Sequence, residues 1–250
     1  MSRKRIHSED EDIFGDKIWS ASQCRVLESV LKRGKRVFIT GAGGVGKSEV
    51  IKRIVSVMKT RCLKVGVTAH TGIAAITIGG QTLFNFMHFT PSRVEKTKEE
   101  VGAEILKNKF WCEGFQSYRC LIIDEISMVD PYIFEMMDHV LQVTRRDFRP
   151  FGGIQLILVG DFFQLPSPQR KMVQKYVFQS KVFWDVMEEM HDMHEMWRQK
   201  DPAFVSLLHR VRKGEQTEDD LALLHDRIGK ALPCEDEGIR PTQLFSHNIE

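Results

Sequence analysis

Cysteine is scarce in this 250-residue chain, and its five copies, Cys24, Cys62, Cys112, Cys120 and Cys234, include no C-x-x-C pair. An odd count without paired spacing argues against a disulfide framework and a zinc ribbon, and fits a reducing, intracellular compartment. No stretch approaches the roughly 20 apolar residues that span a bilayer, so no membrane partner is expected. The N-terminus has no apolar core either: residues 1–12 pass from a basic triplet into an acidic run, which excludes a signal peptide. Net charge is also small. With 36 Lys and Arg against 34 Asp and Glu, the sum of +2 neither demands nor excludes a nucleic-acid partner. Internal repeats and low-complexity tracts are missing. What remains is 42% hydrophobic and 28% charged, enough to bury a substantial core over one domain, or one domain and the beginning of another.

Along the chain the hydrophobic period switches repeatedly. Val26, Leu27, Val30 and Leu31 recur at helical spacing behind a cap at Ser20 or Ser22. Residues 36–40 then read as a buried strand, followed by a glycine-rich turn and a helix with Val50, Ile51, Ile54, Val55 and Met58 on one face. Further strands are predicted at 64–68, 120–124 and 154–160, with helices between them, the alternation of a parallel α/β sheet. Asp130-Pro131 and Asp201-Pro202 each combine a cap with a first-turn proline, and Thr217 with Asp220 opens a last helix. Residues 93–109 are rich in charge and read as a solvated helical insertion.

The segment Gly41-Ala42-Gly43-Gly44-Val45-Gly46-Lys47-Ser48 matches G-x-x-x-x-G-K-[ST] between a strand and a helix. In that context Gly41, Gly43, Gly44, Val45 and Gly46 turn backbone N–H groups toward phosphates. Lys47 reaches the terminal phosphates, and Ser48 ligates Mg²⁺. Leu121-Ile122-Ile123-Asp124-Glu125 ends a buried strand in two carboxylates. Desolvated acids are costly, and Mg²⁺ supplies a reason for them: Asp124 on the metal and Glu125 as the base for the attacking water. Gly160-Asp161-Phe162-Phe163-Gln164-Leu165-Pro166 brings Gln164 to the carboxyl edge of the sheet, beside the phosphate loop.

Taken in order from about Gln23 onward, these segments resemble the Pif (petite integration frequency) family of superfamily-one DNA helicases. Gln23 looks like the family's adenine-reading glutamine. Thr68-Ala69-His70-Thr71-Gly72-Ile73-Ala74-Ala75 is similar to its first DNA-contacting motif, with Thr71 and Gly72 as contacts. The most discriminating stretch holds Arg145-Arg146 and Pro150-Phe151-Gly152-Gly153-Ile154-Gln155, and there the resemblance carries Arg145 and Arg146 over as DNA contacts. Met196-Trp197-Arg198-Gln199 is similar to a later motif in which Arg198 stabilises charge on the transferring phosphate. Gln164 takes the role of γ-phosphate sensor from the same resemblance.

The resemblance therefore implies an α/β fold, a RecA-like P-loop nucleotide hydrolase with a parallel sheet flanked by helices. ATP and Mg²⁺ are the implied cofactors, and single-stranded and forked duplex DNA the implied partners of a monomeric helicase. It also implies a nuclear or other DNA-containing compartment and work in repair, recombination, replication and telomere maintenance. The expected layout is a polar tail at 1–19, a first RecA-like domain at 20–238, and the start of a truncated second such domain at 239–250. Without the rest of that second domain the chain should bind nucleotide, hydrolyse it weakly and not unwind DNA. The alternative is an ATP-binding adaptor without helicase activity. Two departures from the family pattern stand out. Thr82-Leu83-Phe84-Asn85-Phe86 replaces a His-Ser pair and displaces the histidine to His88, and Ser167 separates Pro166 from Pro168. Phe84, Phe86 and Phe89 read as core more readily than as base-stacking rings.

Overall fold

The computed structural model describes residues 13–167 and 176–230. The chain divides at the Pro202–Ala203 junction into two compact units, inside the span taken from sequence as one domain. The first unit is built on a six-stranded sheet whose recorded pairings are all parallel, in the order β3-β2-β4-β5-β1-β6. The strands are β1 (Val37–Gly41), β2 (Val65–Ala69), β3 (Gln81–Thr82), β4 (Cys120–Asp124), β5 (Gln155–Val159) and β6 (Glu189–Met193). Four of these match the strands expected from sequence to within one residue at either end. The other two, β3 and β6, lie at the sheet's edges.

The central strands are apolar on both faces because both faces are covered. Phe38, Leu121, Ile123, Leu156 and Leu158 belong to one core cluster, while Val37, Ile39, Ile122, Ile157 and Val159 belong to the other. The second cluster is closed by α1 (Ala21–Leu31) and α2 (Lys47–Thr60). Ser20, rather than Ser22, caps α1 in a reciprocal box with Gln23. The expected polar tail is corrected over its described part. Ile13 is buried in this cluster, and its carbonyl accepts from Arg53 Nε at 2.8 Å, while Trp19 Nε1 donates to the Phe14 carbonyl at 2.8 Å.

After β2 come α3 (Gly72–Thr77), α4 (Leu83–Phe86), α5 (Pro91–Val94), α6 (Lys98–Leu106) and α7 (Lys109–Ser117). The reading of residues 93–109 as a solvated insertion is also corrected. Val101 and Ile105 of α6 are fully buried in the first core cluster, so the charges form the outer face of a packed helix. Phe86 and Phe89 are core residues too, and Phe84 packs against them half-buried.

The helix α8 (Pro131–Arg145) begins at Asp130, whose carboxylate accepts the Tyr132 N–H at 2.7 Å. It returns across the sheet to the amino edge, where Arg145 Nη1 donates to the carbonyls of Phe115 (2.6 Å) and Tyr118 (3.0 Å), and its Nε to Gly152 (2.7 Å). Phe151 is buried against Phe134 at a ring separation of 4.8 Å, and its N–H donates to Asp138 Oδ1 at 2.6 Å. The P-F-G-G segment thus clasps α8 to the start of β5. The helix α9 (Lys181–Val186) leads into β6. The second unit contains α10 (Pro202–Lys213), most of which lies beyond the junction, and α11 (Glu218–His225). Asp220 takes a bidentate ion pair from Arg210 at 2.6 Å and closes the α11 capping box with Thr217. Residues 239–250, expected to open another domain, lie outside the described residues, as do most of the tail, 1–12, and Pro168.

Candidate nucleotide-binding site

β1 runs into a loop that reverses so that Lys47 opens α2. Gly44 and Gly46 hold φ of +92° and +88°, a region that L side chains rarely adopt. A Cβ on Gly44 would stand 2.9 Å from Arg198 Cβ and Met196 Sδ, and one on Gly46 would stand 2.6 Å from Gln23 Nε2. Both positions therefore need glycine for conformation and for close approach. Lys47 Nζ donates back to the carbonyls of Gly41 (2.6 Å) and Ala42 (3.0 Å), so the loop holds its own ammonium where phosphate oxygens would compete for it.

Above the loop opens a cleft of about 560 Å³, lined among others by Gly43, Lys47, Ser48, Asp124, Gln164 and Arg198. That volume suits a small-molecule cofactor. Asp124, at the end of β4, is buried and accepts the Glu125 N–H at 3.0 Å. Burial pushes its carboxyl up to about 6, against the pull of that N–H and of Lys47. Glu125 turns the chain with φ +55°, ending the strand so that it lines the same cleft. Within the sheet β5 separates β1 from β4. At about 4.8 Å per strand, the two acids therefore stand about 10 Å from the strand that bears the phosphate loop. Gln164 follows β5. Its Nε2 donates to Asp161 Oδ2 at 3.2 Å and lies 4.0 Å from where a Gly43 Cβ would be.

Arg198 reaches this cleft through the segment after β6. The Gly44 carbonyl accepts from the N–H groups of Trp197 (3.0 Å) and Arg198 (3.3 Å). Upstream, Glu195 accepts both the hydroxyl and the N–H of Ser22, and the hydroxyl bond foremost holds its carboxyl down at about 2. Trp197, which the sequence reading left without a role, lines the cleft beside Gly46.

Gln23 Oε1 accepts the Ser20 N–H at 3.0 Å and its Nε2 donates to the Val45 carbonyl at 3.3 Å. Each end of the amide makes one internal bond, so Gln23 braces the phosphate loop, and the second N–H and the second lone pair of the amide are what it has to offer an adenine edge.

Thr71 caps α3, accepting the Ala74 N–H at 3.3 Å, and Gly72 beside it has open space around its Cα. A neighbouring cleft of about 590 Å³ is lined by Thr71, Ser127, Phe163 and Leu165, and shares Glu125 and Gln164 with the first. Sequence reading missed this apolar rim, where Phe163 (60%) and Leu165 (73%) are exposed. Arg145, carried over from the resemblance as a DNA contact, has its Nε and Nη1 bonded to backbone carbonyls at the amino edge of the sheet, where it acts as a structural clasp. Arg146, the exposed cap of α8, lies at that same edge, away from both clefts. His88 stacks on Trp111 at 4.3 Å.

Comparison with known proteins returns one consistent picture. The PIF1-like helicase family model matches residues 19–221. The chain is 36% identical over 245 residues to the ATP-dependent DNA helicase PIF1 of Candida albicans, covering 93% of this chain and 26% of that protein. The crystal structure of the Candida albicans Pif1 helicase superposes with a TM-score of 0.83 at 36% identity, over 92% of this chain and 52% of that one. A Bacteroides Pif1 helicase in complex with ADP-AlF3 and ssDNA gives 0.71 at 28% identity, over 87% and 52%. The chain thus spans about a quarter of its curated relative and about half of the solved helicases.

Proposed function

Because the chain belongs to the PIF1-like helicase family, we propose that it is the ATP-binding motor part of an ATP-dependent DNA helicase, coupling hydrolysis to movement on single-stranded DNA and to unwinding of forked duplexes. The observation that carries this reading is the convergence of the phosphate loop, the Asp124–Glu125 pair, Gln164 and Arg198 on one cleft that adjoins the Thr71 cleft through two shared residues.

Within it, the loop amides from Gly41 to Gly46 and the ammonium of Lys47 hold the β and γ phosphates of ATP. Ser48 and Asp124 fit Mg²⁺: a hard cation takes oxygen ligands, and the buried Asp124 carboxyl, raised to about 6, is a negative charge in want of a counter-ion. Bound there, the metal would neutralise charge building up between the β and γ phosphates. Glu125 takes the proton from the attacking water, Gln164 senses the γ-phosphate and orients that water, and Arg198 offsets charge on the transferring group. Trp197 offers a ring to the base. Single-stranded DNA crosses the carboxyl edge of the sheet over Thr71 and Gly72, so that strand and nucleotide meet through Glu125 and Gln164.

On this reading the sequence of 239–250 is the start of a second RecA-like domain, the protein acts as a monomer, and it works in the nucleus or another compartment that holds DNA. The deciding experiment measures ATP hydrolysis with and without an unstructured single strand, in this chain and in a polypeptide extended through a second such domain. Stimulation in the extended form alone supports the helicase. ATP binding with no stimulation in either overturns it in favour of an ATP-switched adaptor.

A further inference from the structure

At the β3 edge of the sheet, sharing no residue with either cleft, lies a slot of about 230 Å³. Its walls are aromatic and braced. Trp111 stacks on His88 at 4.3 Å and 12°, with the Arg93 guanidinium 5.0 Å from its ring, and Phe86 meets Phe115 and Tyr118 edge-on at 5.8 and 5.0 Å. Phe110 is different: it lines the same slot yet is 79% exposed. Beside it Gly114 leaves the floor open, since a Cβ there would meet nothing within 4 Å.

The polar groups are as specific as the rings. Lys64 Nζ lies 4.4 Å from the Tyr118 ring centre and donates to the Ser117 hydroxyl at 2.9 Å, with no carboxylate partner among the described residues. Asn85 Nδ2 donates to Gln81 Oε1 at 2.6 Å, which leaves Asn85 Oδ1 as an acceptor next to Gln81 Nε2 as a donor. An acceptor beside a donor matches the edge of a nucleobase, an uncovered ring matches its face, and an ammonium with no carboxylate partner among the described residues matches a phosphate. An acidic peptide would answer the ammonium and the ring but leave the paired carboxamides without a complementary edge.

We propose that this slot takes one unpaired nucleobase of a nucleic-acid strand, stacked on Phe110 and read by Gln81 and Asn85, with Lys64 on the adjoining phosphate. It is a second contact for the strand, separate from the carboxyl edge of the sheet, and it rests on the nucleic-acid reading above.

The test uses the full chain with a single-stranded oligonucleotide carrying 5-iodouracil. Irradiation should cross-link it to the tryptic peptide 110–119. Phe110→Ala should weaken binding of the unmodified strand about five- to tenfold, within the range for losing one base–aromatic stack. A strand with its bases removed should lose at least as much and be indifferent to Phe110→Ala, and Lys64→Ala should reduce the salt dependence of binding. ATP affinity should stay at the parental level in Phe110→Ala, which reports that the fold is intact. Strand binding that persists with parental affinity in Phe110→Ala and cross-links only outside 110–119 overturns the slot and leaves the helicase reading standing. A chain that binds ATP but no strand at all overturns both, and capture of an acidic peptide in its place assigns the slot to protein.

Discussion

The carbonyl of Gly44 accepts the N–H of Arg198 at 3.3 Å, while a Cβ on Gly44 would stand 2.9 Å from the Cβ of Arg198. The phosphate loop and the segment carrying the arginine are therefore one packed unit. Gly44→Ala adds a methyl to this contact and puts an L residue at φ +92°. Its cost should be about 1–3 kcal/mol in stability together with weakened ATP binding, read by thermal denaturation and by titration of a fluorescent ATP analogue. Parental behaviour would mean the two segments are not coupled.

Lys47→Ala and Glu125→Gln should separate binding from chemistry. The first removes a charge-assisted contact to phosphate and should lower ATP affinity about ten- to a hundredfold. The second keeps a side chain of the same shape without a base and should bind ATP normally, while DNA-stimulated turnover in the extended polypeptide falls about a hundredfold or more. Parental turnover in Glu125→Gln would remove the base assignment.

Asp124 makes stability depend on pH in an unusual direction. Its carboxyl rises from an ordinary 3.8 to about 6 on folding, so the folded state favours the protonated form. The nucleotide-free chain therefore loses stability as pH climbs from about 4 to 6, and above that the loss is complete. At 1.36 kcal/mol per unit it amounts to about 3 kcal/mol. Asp124→Asn should accordingly be more stable than the parent at pH 8 by about 2–3 kcal/mol and equal to it below pH 4, while losing metal-dependent ATP binding. Chemical denaturation at the two pH values checks the sign.

Arg145→Ala should destabilise the chain by about 2–4 kcal/mol without changing ATP affinity, because it removes the charge-assisted bonds to the Phe115, Tyr118 and Gly152 carbonyls that tie α7, α8 and the P-F-G-G segment together. Arg146→Ala, at an exposed cap, should change stability by less than about 0.5 kcal/mol. Equal effects in the two variants would refute the clasp.

The central sheet was readable because its strands are short apolar runs set between turn signals, and the phosphate loop because glycine at Gly44 and Gly46 has no substitute. The edges were not. Glu189 and His191 make β6 look polar, but Glu189 is bound by Ser29 of α1 and by Arg33 just beyond that helix, and His191 lies beside Glu189. The two residues of β3 carry no period at all. At the site, Asp124 and Glu125 were legible as adjacent acids behind a hydrophobic run. Gln23 and Arg145 were assigned by resemblance, and only the fold reveals that their polar atoms are engaged with backbone. Trp197 escaped because one aromatic residue in a polar segment has no pattern.

The position of β1 between β5 and β6 bears on how the protein is made. Both neighbours of the phosphate-loop strand come later in the chain, with Val37 paired to Ile157 on one side and to Glu189 on the other. At about 5–20 residues per second, the ribosome needs roughly 6–24 s to make the 120 or so residues from Val37 to Ile157, the earlier-made of the two partners. Throughout that interval Val37 to Ile39 are apolar with no strand to join. The nucleotide site is thus among the last parts of the sheet to assemble, and pairings so distant in sequence make for slow folding. The packing of Trp197 and Arg198 onto the Gly44 carbonyl, which closes the phosphate loop, waits until synthesis has passed Arg198.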